Sequence, residues 1–185
     1  MKHIISLDIG GTSIKSAIVN SSGEFFNNSY KITTLDTSKD KDYIIDKFKH
    51  TIKEKIDILS KSNSSFDGLT IAICGPFDYE KGISLIQNFN KYDSIYNLNI
   101  KKILQQKLDL PYNLQFVFDP DSWCFGRGEI CFGNYKDYKK IIVFTMGTGV
   151  GSCFIDNKKV VSEGKGVPEL GWISGQKFKD GILND

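Results

Sequence analysis

Two periods alternate along the chain. His3 to Ile9 is apolar and β-branched and predicts a buried strand. Gly10-Gly11 breaks it, and Ser13 to Asn20 predicts a returning strand. Ser21-Ser22-Gly23 is a second turn, and Phe25 to Ile32 predicts a third strand, so the chain opens as a β-meander. The period then changes. Ile45, Phe48, Ile52, Ile56 and Leu59 recur at spacings of three and four, with Lys, Asp and Glu between them. That predicts an amphipathic helix from about Asp42 to Lys61, with its lysines and His50 on the solvated side. Leu69 to Cys74 predicts another strand, Ile100 to Leu108 a helix, and Leu114 to Phe118 a further strand. A helix is expected to run on to Cys131. The grammar then restarts: a strand over Lys140 to Met146, a glycine turn, a strand from Val150 to Ile155, a turn, and a strand from Lys159 to Ser162.

This restart predicts two units, residues 1–118 and 119–185, each opening with a strand pair joined by glycines. Composition narrows the picture. Twenty-four Lys+Arg against 22 Asp+Glu leave a net charge of +2, which argues against a basic nucleic-acid footprint. No apolar run reaches membrane-spanning length, so no membrane partner is expected. Cys74, Cys124, Cys131 and Cys153 form no CxxC pair and read as reduced, small apolar residues of a cytoplasmic protein. Cys124 and Cys131 lie seven apart, which suits core packing on one helix face. Phe125, Phe132, Tyr135 and Tyr138 read as packing residues.

Four stretches carry candidate chemistry. In Asp8-Ile9-Gly10-Gly11-Thr12-Ser13-Ile14-Lys15, two glycines let the backbone approach an anion, and Thr12 adds a hydroxyl. Asp8, ending a buried strand, suits a water of hydrated Mg²⁺. The same stretch also reads as an ordinary glycine hairpin. Gly147-Thr148-Gly149-Val150-Gly151 joins strands, so it is not the dinucleotide fingerprint that opens a helix. Its other reading is again a plain hairpin, but two such turns, one per unit, suggest two surfaces on one polyphosphate. Asp119-Pro120-Asp121 reads either as a helix start, with Asp119 as N-cap and Pro120 in the first turn, or as a general base at a strand end. Glu163 to Trp172, with three glycines and two glutamates, is either a polyol-binding loop or a surface loop.

Together these residues resemble the ROK (repressor, open reading frame, kinase) family of sugar kinases. Asp8 to Lys15 is similar to that family's first phosphate motif and Gly147 to Gly151 to its second. Gly75-Pro76-Phe77-Asp78 with Gln87-Asn88-Phe89 resembles the sugar-side stretch, and Glu169-Leu170-Gly171 the sugar loop. The resemblance implies an α/β chain of ribonuclease-H-like, actin-like ATPase two-lobe architecture, with the second lobe incomplete at Asp185. It implies ATP and Mg²⁺ as cofactors and transfer of a phosphoryl group to a hydroxyl of a hexose or hexose derivative. Phosphates would lie on Asp8, Gly10, Gly11, Thr12, Lys15, Gly147, Thr148, Gly149 and Gly151, with Mg²⁺ held through water by Asp8. Asn88, Asp121 and Glu169 would contact the sugar. The family's base stands eight positions before a Glu, and counting back from Glu129 gives Asp121.

The departures are informative. Pro120 stands where the family has an Asn, and Trp123 and Phe125 replace small residues. Trp172 stands where a zinc-binding His is usual and no cysteine follows Cys153, so no zinc site is expected. The resemblance admits a homodimer. It also keeps open a second reading, a truncated, non-catalytic sugar- or phosphate-binding regulatory module. A third, a DNA-binding repressor, fits less well: the first strand begins at His3, leaving no room for an N-terminal helix-turn-helix.

Overall fold

The computed structural model describes residues 2–135, 137–146 and 150–162, and the backbone of residues 177–179 and 182–184. The chain divides into two compact units, Met1–Asp121 and Ser122–Asp185.

In the first unit, β1 (His3–Ile9) turns back into β2 (Ser13–Asn20), which pairs with β3 (Lys31–Thr34). The helix α1 (Lys41–Lys61) leads to β4 (Gly68–Ile73), which lies parallel to β1. A two-stranded ribbon follows, β5 (Phe77–Asp78) and β6 (Ile83–Ser84), and then α2 (Ile100–Lys107). Last comes β7 (Gln115–Pro120), parallel to β4. The strand order β3-β2-β1-β4-β7, three antiparallel and then two parallel, is the ribonuclease-H-like arrangement.

Strand alternation gives this sheet two unlike faces. Ile5, Leu7, Ile9, Leu69, Ile71, Phe116 and Phe118 are buried and form one core with Ile44, Phe48 and Ile52 of α1 and Leu104 of α2. The other face carries Ser6, Asp8, Thr70 and Asp119, and there the Thr70 hydroxyl donates to Ser6 Oγ at 3.2 Å. α1 is capped by Asp40, whose carboxylate accepts from the Tyr43 N–H at 2.8 Å.

In the second unit, α3 (Asp121–Cys131), which starts on the last residue of the first, precedes a meander. That meander is β8 (Lys140–Met146), β9 (Val150–Asp156) and β10 (Lys159–Val161). β11 (Lys177–Lys179) and β12 (Ile182–Asn184) pair antiparallel. Trp123 and Ile130 of α3 pack on Cys153 and Ile155 of β9. A Cβ on Gly126 would stand 2.8 Å from Cys153 Sγ, so this helix sits close on its strand.

Several expectations are corrected. The third strand lies at Lys31–Thr34 rather than Phe25 to Ile32, because Asn27 and Asn28 both take left-handed backbone (φ 45° and 52°) and end any extended run. Of that run's start, Phe25 makes only an isolated bridge to Val19. The helix α3 starts at Asp121, so Pro120 is not its first helical residue. Asp119 and Pro120 are the last residues of β7, paired in register with Ala72 and Ile73. β7 is an edge strand, where proline's missing N–H costs little. Lys55 is not on a solvated face: it is 1% exposed, with Nζ 3.4 Å from Glu54 Oε1. Cys124 is half-buried and Cys131 exposed, because Trp123, Gly126 and Ile130 define the buried side of α3. Phe125, Phe132, Tyr135 and Tyr138 are exposed rather than packed.

Candidate functional site

The loop between β1 and β2 is held by its carbonyls. The Tyr92 hydroxyl donates to Gly10 O at 2.5 Å, the Thr37 hydroxyl to Gly11 O at 3.2 Å, and the Leu35 N–H to Thr12 O at 2.9 Å. Gly10 N–H closes the turn on Ser13 O at 2.9 Å. In a trans peptide the C=O and the following N–H point opposite ways. With the Gly10 and Gly11 carbonyls turned into the protein, the Gly11 and Thr12 N–H groups turn outward. Neither donates to another described residue. A pair of outward N–H groups beside the exposed Thr12 hydroxyl offers donors that could hold an anion. Among the sequence-predicted residues, Gly10, Gly11 and Thr12 thus form one surface.

Asp8 and Lys15 face each other across the β1–β2 pair and form an ion pair of 2.8 Å. The hydrogen bond from Asp8, and then its charge, raise the Lys15 ammonium above its usual range. Lys15 is therefore held by Asp8, and a cation at Asp8 would compete with it. Register carries the row further. Asp8 lies beside Ala72 of β4, and Ala72 beside Asp119 of β7, so all three share one face at the carboxyl ends of these strands. Two strand spacings put Asp8 and Asp119 roughly 10 Å apart along this row. The small Ala72 leaves space between the two carboxylates. Ligands of open α/β sheets gather at such carboxyl ends.

Asp121 stands two residues beyond Asp119, in the first turn of α3, where the helix dipole favours a carboxylate. Its charge acts on Lys15, Cys74 and Tyr92, so the structure brings it to the same end of the sheet. Burial is the main cause that raises both the Cys74 thiol and the Tyr92 phenol, which stay protonated.

Asn88 sits in an exposed turn with left-handed backbone (φ 64°). Asp93 fixes that turn by accepting the Phe89 and Asn90 N–H groups at 3.2 and 3.1 Å. Four residues on, Tyr92 is fully buried and reaches Gly10, tying the Asn88 segment to the phosphate-loop candidate. Gly151 lies in β9 opposite Thr145. An added Cβ there would collide with Thr145 Oγ1 and come within 3.0 Å of Ser122 Cβ, so packing alone demands this glycine. Gly147, Thr148, Gly149, Glu169 and Trp172 lie outside the described residues, and with them the zinc expectation.

Sequence reasoning missed Tyr92 and Thr37. Both act over long sequence separations, 82 and 26 residues, for which no local pattern exists.

A family model described as the ROK family matches residues 4–179. The chain belongs to the ROK family. Among its relatives is a beta-glucoside kinase of Listeria monocytogenes, 26% identical over 164 residues, covering 88% of this chain and 49% of the relative. Another is a xylose repressor of Caldicellulosiruptor bescii, 25% identical over 156 residues, covering 84% of this chain and 37% of the repressor. A solved ROK family glucokinase of Streptomyces griseus, in complex with glucose and AMPPNP, superposes with a TM-score of 0.67 at 20% identity. It covers 87% of this chain and 46% of that one, and this likeness bears on the fold. The chain spans about half the length of the curated kinase it matches, and less of the repressor. The ROK chain thus has the ribonuclease-H-like fold shared with the actin-like ATPases, and the family includes both kinases and repressors. No described helix is long and apolar enough to cross a membrane.

Proposed function

We propose that this chain carries the first lobe and the start of the second lobe of a cytoplasmic, ATP-dependent sugar kinase. The observation that supports it is the loop Gly10-Gly11-Thr12, whose outward N–H groups stand at the sheet end that also bears Asp8 and Asp121. Phosphoryl transfer asks for positioning and charge cancellation more than covalent chemistry, and these residues offer both. When bound, Mg-ATP supplies the phosphoryl group and the cation that neutralises its charge.

Each residue of the chain then has a task. Gly11 and Thr12 donate N–H groups, and Thr12 its hydroxyl, to phosphate oxygens. Asp8, helped by Asp119 across Ala72, holds waters of the hydrated cation. Mg²⁺ keeps most of its waters and uses one or two carboxylates, which this row provides. Lys15, paired with Asp8, stands close enough to the loop that its charge would serve the phosphates if Asp8 held the cation. Asp121 accepts the proton of the attacking sugar hydroxyl. Asn88 and Glu169 orient the sugar, and Gly147, Thr148, Gly149 and Gly151 supply the second phosphate surface. Pro120 and Trp172 replace polar groups and narrow the choice of sugar. The two lobes follow 1–118 and 119–185.

The test is ADP release from Mg-ATP by the protein as its source makes it, over a panel of hexoses and glycosides. Release should depend on an added sugar, and Asp121→Asn should lower it by roughly 10²–10⁴ while sugar binding persists. Asp119→Asn should cost much less. The reverse ranking would put the base at Asp119. A second reading, a regulatory module, is favoured by the xylose repressor among the relatives. Sugar binding by calorimetry with no stimulated ADP release would establish it.

A further inference from the structure

Tyr92 has two faces of unlike chemistry. Its ring lies in the main core, fully buried among apolar side chains. Its hydroxyl leaves that core to donate to a backbone carbonyl 82 residues away, Gly10 O. Its backbone takes a left-handed conformation (φ 60°), which a bulky side chain adopts only when its surroundings dictate it. The Tyr92 N–H in turn donates to Thr37 O at 2.9 Å, and the Thr37 hydroxyl donates to Gly11 O. The Ser94 hydroxyl donates to Lys39 O at 2.8 Å, which fastens the two segments together again. Tyr92 and Thr37 therefore form a bracket with two arms, one on each of two consecutive carbonyls of the glycine loop. Packing alone would be met by phenylalanine. What the hydroxyl adds is a fixed direction for the Gly10–Gly11 peptide. Two glycines in sequence leave that peptide otherwise free to rotate.

We infer that Tyr92 is a positioning residue for the phosphate loop: with Thr37 it holds the Gly10 and Gly11 carbonyls inward, so that the Gly11 and Thr12 N–H groups stay aimed at a bound polyphosphate. Tyr92 never touches the ligand. It acts through the glycine peptides, supplying donors already oriented before the anion arrives. The use of the loop for a polyphosphate rests on the proposed function; the bracket rests on the hydrogen bonds alone.

The experiment uses the full protein and two measurements. In native-state hydrogen exchange, Tyr92→Phe should speed exchange of the Gly10 and Leu35 amides, which donate to Ser13 O and Thr12 O, by tenfold or more. Amides of Ile5 and Ile71 in the strands should stay within about twofold. Thr37→Val should do the same more weakly and Thr37→Ser should not, which covers the case that Tyr92→Phe fails to fold. In calorimetry, Mg-tripolyphosphate should bind roughly 5- to 30-fold more weakly to Tyr92→Phe, with the sugar affinity unchanged. Unchanged exchange at Gly10 and Leu35 would overturn the bracket. Faster exchange with unchanged tripolyphosphate affinity would overturn its positioning role. A wild-type protein that binds no tripolyphosphate would sink the kinase reading instead, leaving the exchange result to judge the bracket.

Discussion

The two compact units treat their sheets differently. In the first, β1, β4 and β7 bury one face under α1 and α2, and the core runs from Ile5 to Phe118. In the second, the described core is four residues, Trp123, Ile130, Cys153 and Ile155, between α3 and β9. Along β8 the burial alternates, and Ile142, Phe144 and Met146 form a row of exposed apolar side chains, continued by Val150 of β9. Each unit pairs its first two strands antiparallel, with glycines in the sequence between them. In the first unit, side chains from distant segments hold that turn: Tyr92 donates to Gly10 O and Thr37 to Gly11 O. A motif of two or three glycines specifies a flexible turn; the packed residues around it decide whether that turn becomes an oriented site.

This contrast can be broken or sharpened by substitution. The largest stability effect is expected for Phe48→Ala in the first unit, about 3–5 kcal/mol of unfolding free energy, because the ring is fully buried. Denaturant titration measures it. Hydrogen exchange should quicken in β1 and β4 while β8 and β9 keep their own rates. An equal response in both units would show that they unfold as one.

Gly151→Ala comes next, at about 1–3 kcal/mol, since the new methyl would press on Thr145 and Ser122. A thermal melt that does not move would free Gly151 from its packing role and strengthen its assignment to phosphate.

A smaller effect belongs to Glu54 in the first unit. Its bond to Lys31, 2.6 Å, is the main cause that lowers the carboxyl below the ordinary glutamate value of 4.5. A depressed folded-state value means the contribution is complete above 4.5 and is lost as pH falls through the lowered value. Lys31 and Glu54 are both about half exposed, so Lys31→Gln, which leaves the buried Lys55 its contact with Glu54, should cost less than about 1 kcal/mol at neutral pH. The gap between variant and wild type should close in acid. A gap that stays constant below that range would assign the effect to something other than charge.

The smallest is Phe144→Thr on the exposed row of β8, within about 0.5 kcal/mol, because the side chain is 50% exposed. A loss beyond 2 kcal/mol would mean that this face is covered in the natural protein, and that the contrast between the units is one of completeness rather than design.

The elements themselves were legible because their causes are local. Apolar, β-branched runs bounded by turn residues announced β1, β2 and β4, and the spacing of Ile45, Phe48, Ile52 and Leu59 announced α1. The third strand lies later than the pattern predicts because the left-handed preference of Asn27-Asn28 outweighs the strand preference of Phe25, Phe26 and Tyr30 around them. Asp119-Pro120 is open to two readings in the sequence because a helix start and a strand end use the same residues. Pairing with Ala72 and Ile73, far off in sequence, makes these two residues a strand end.

The site divides along the same line. Asp8, Gly10, Gly11, Thr12 and Lys15 stand within eight residues, so the sequence alone determined that they gather around one strand–turn–strand segment. It also determined the family resemblance, since that depends on motifs and their spacing. Tertiary structure alone decided which way the glycine peptides face, that Lys15 rests on Asp8, and that Asp8 and Asp119 flank Ala72 on one face. The physical reason is that peptide orientation at glycine costs almost nothing locally. It is set by partners such as Tyr92, which lie far off in sequence and meet the loop only in the folded chain.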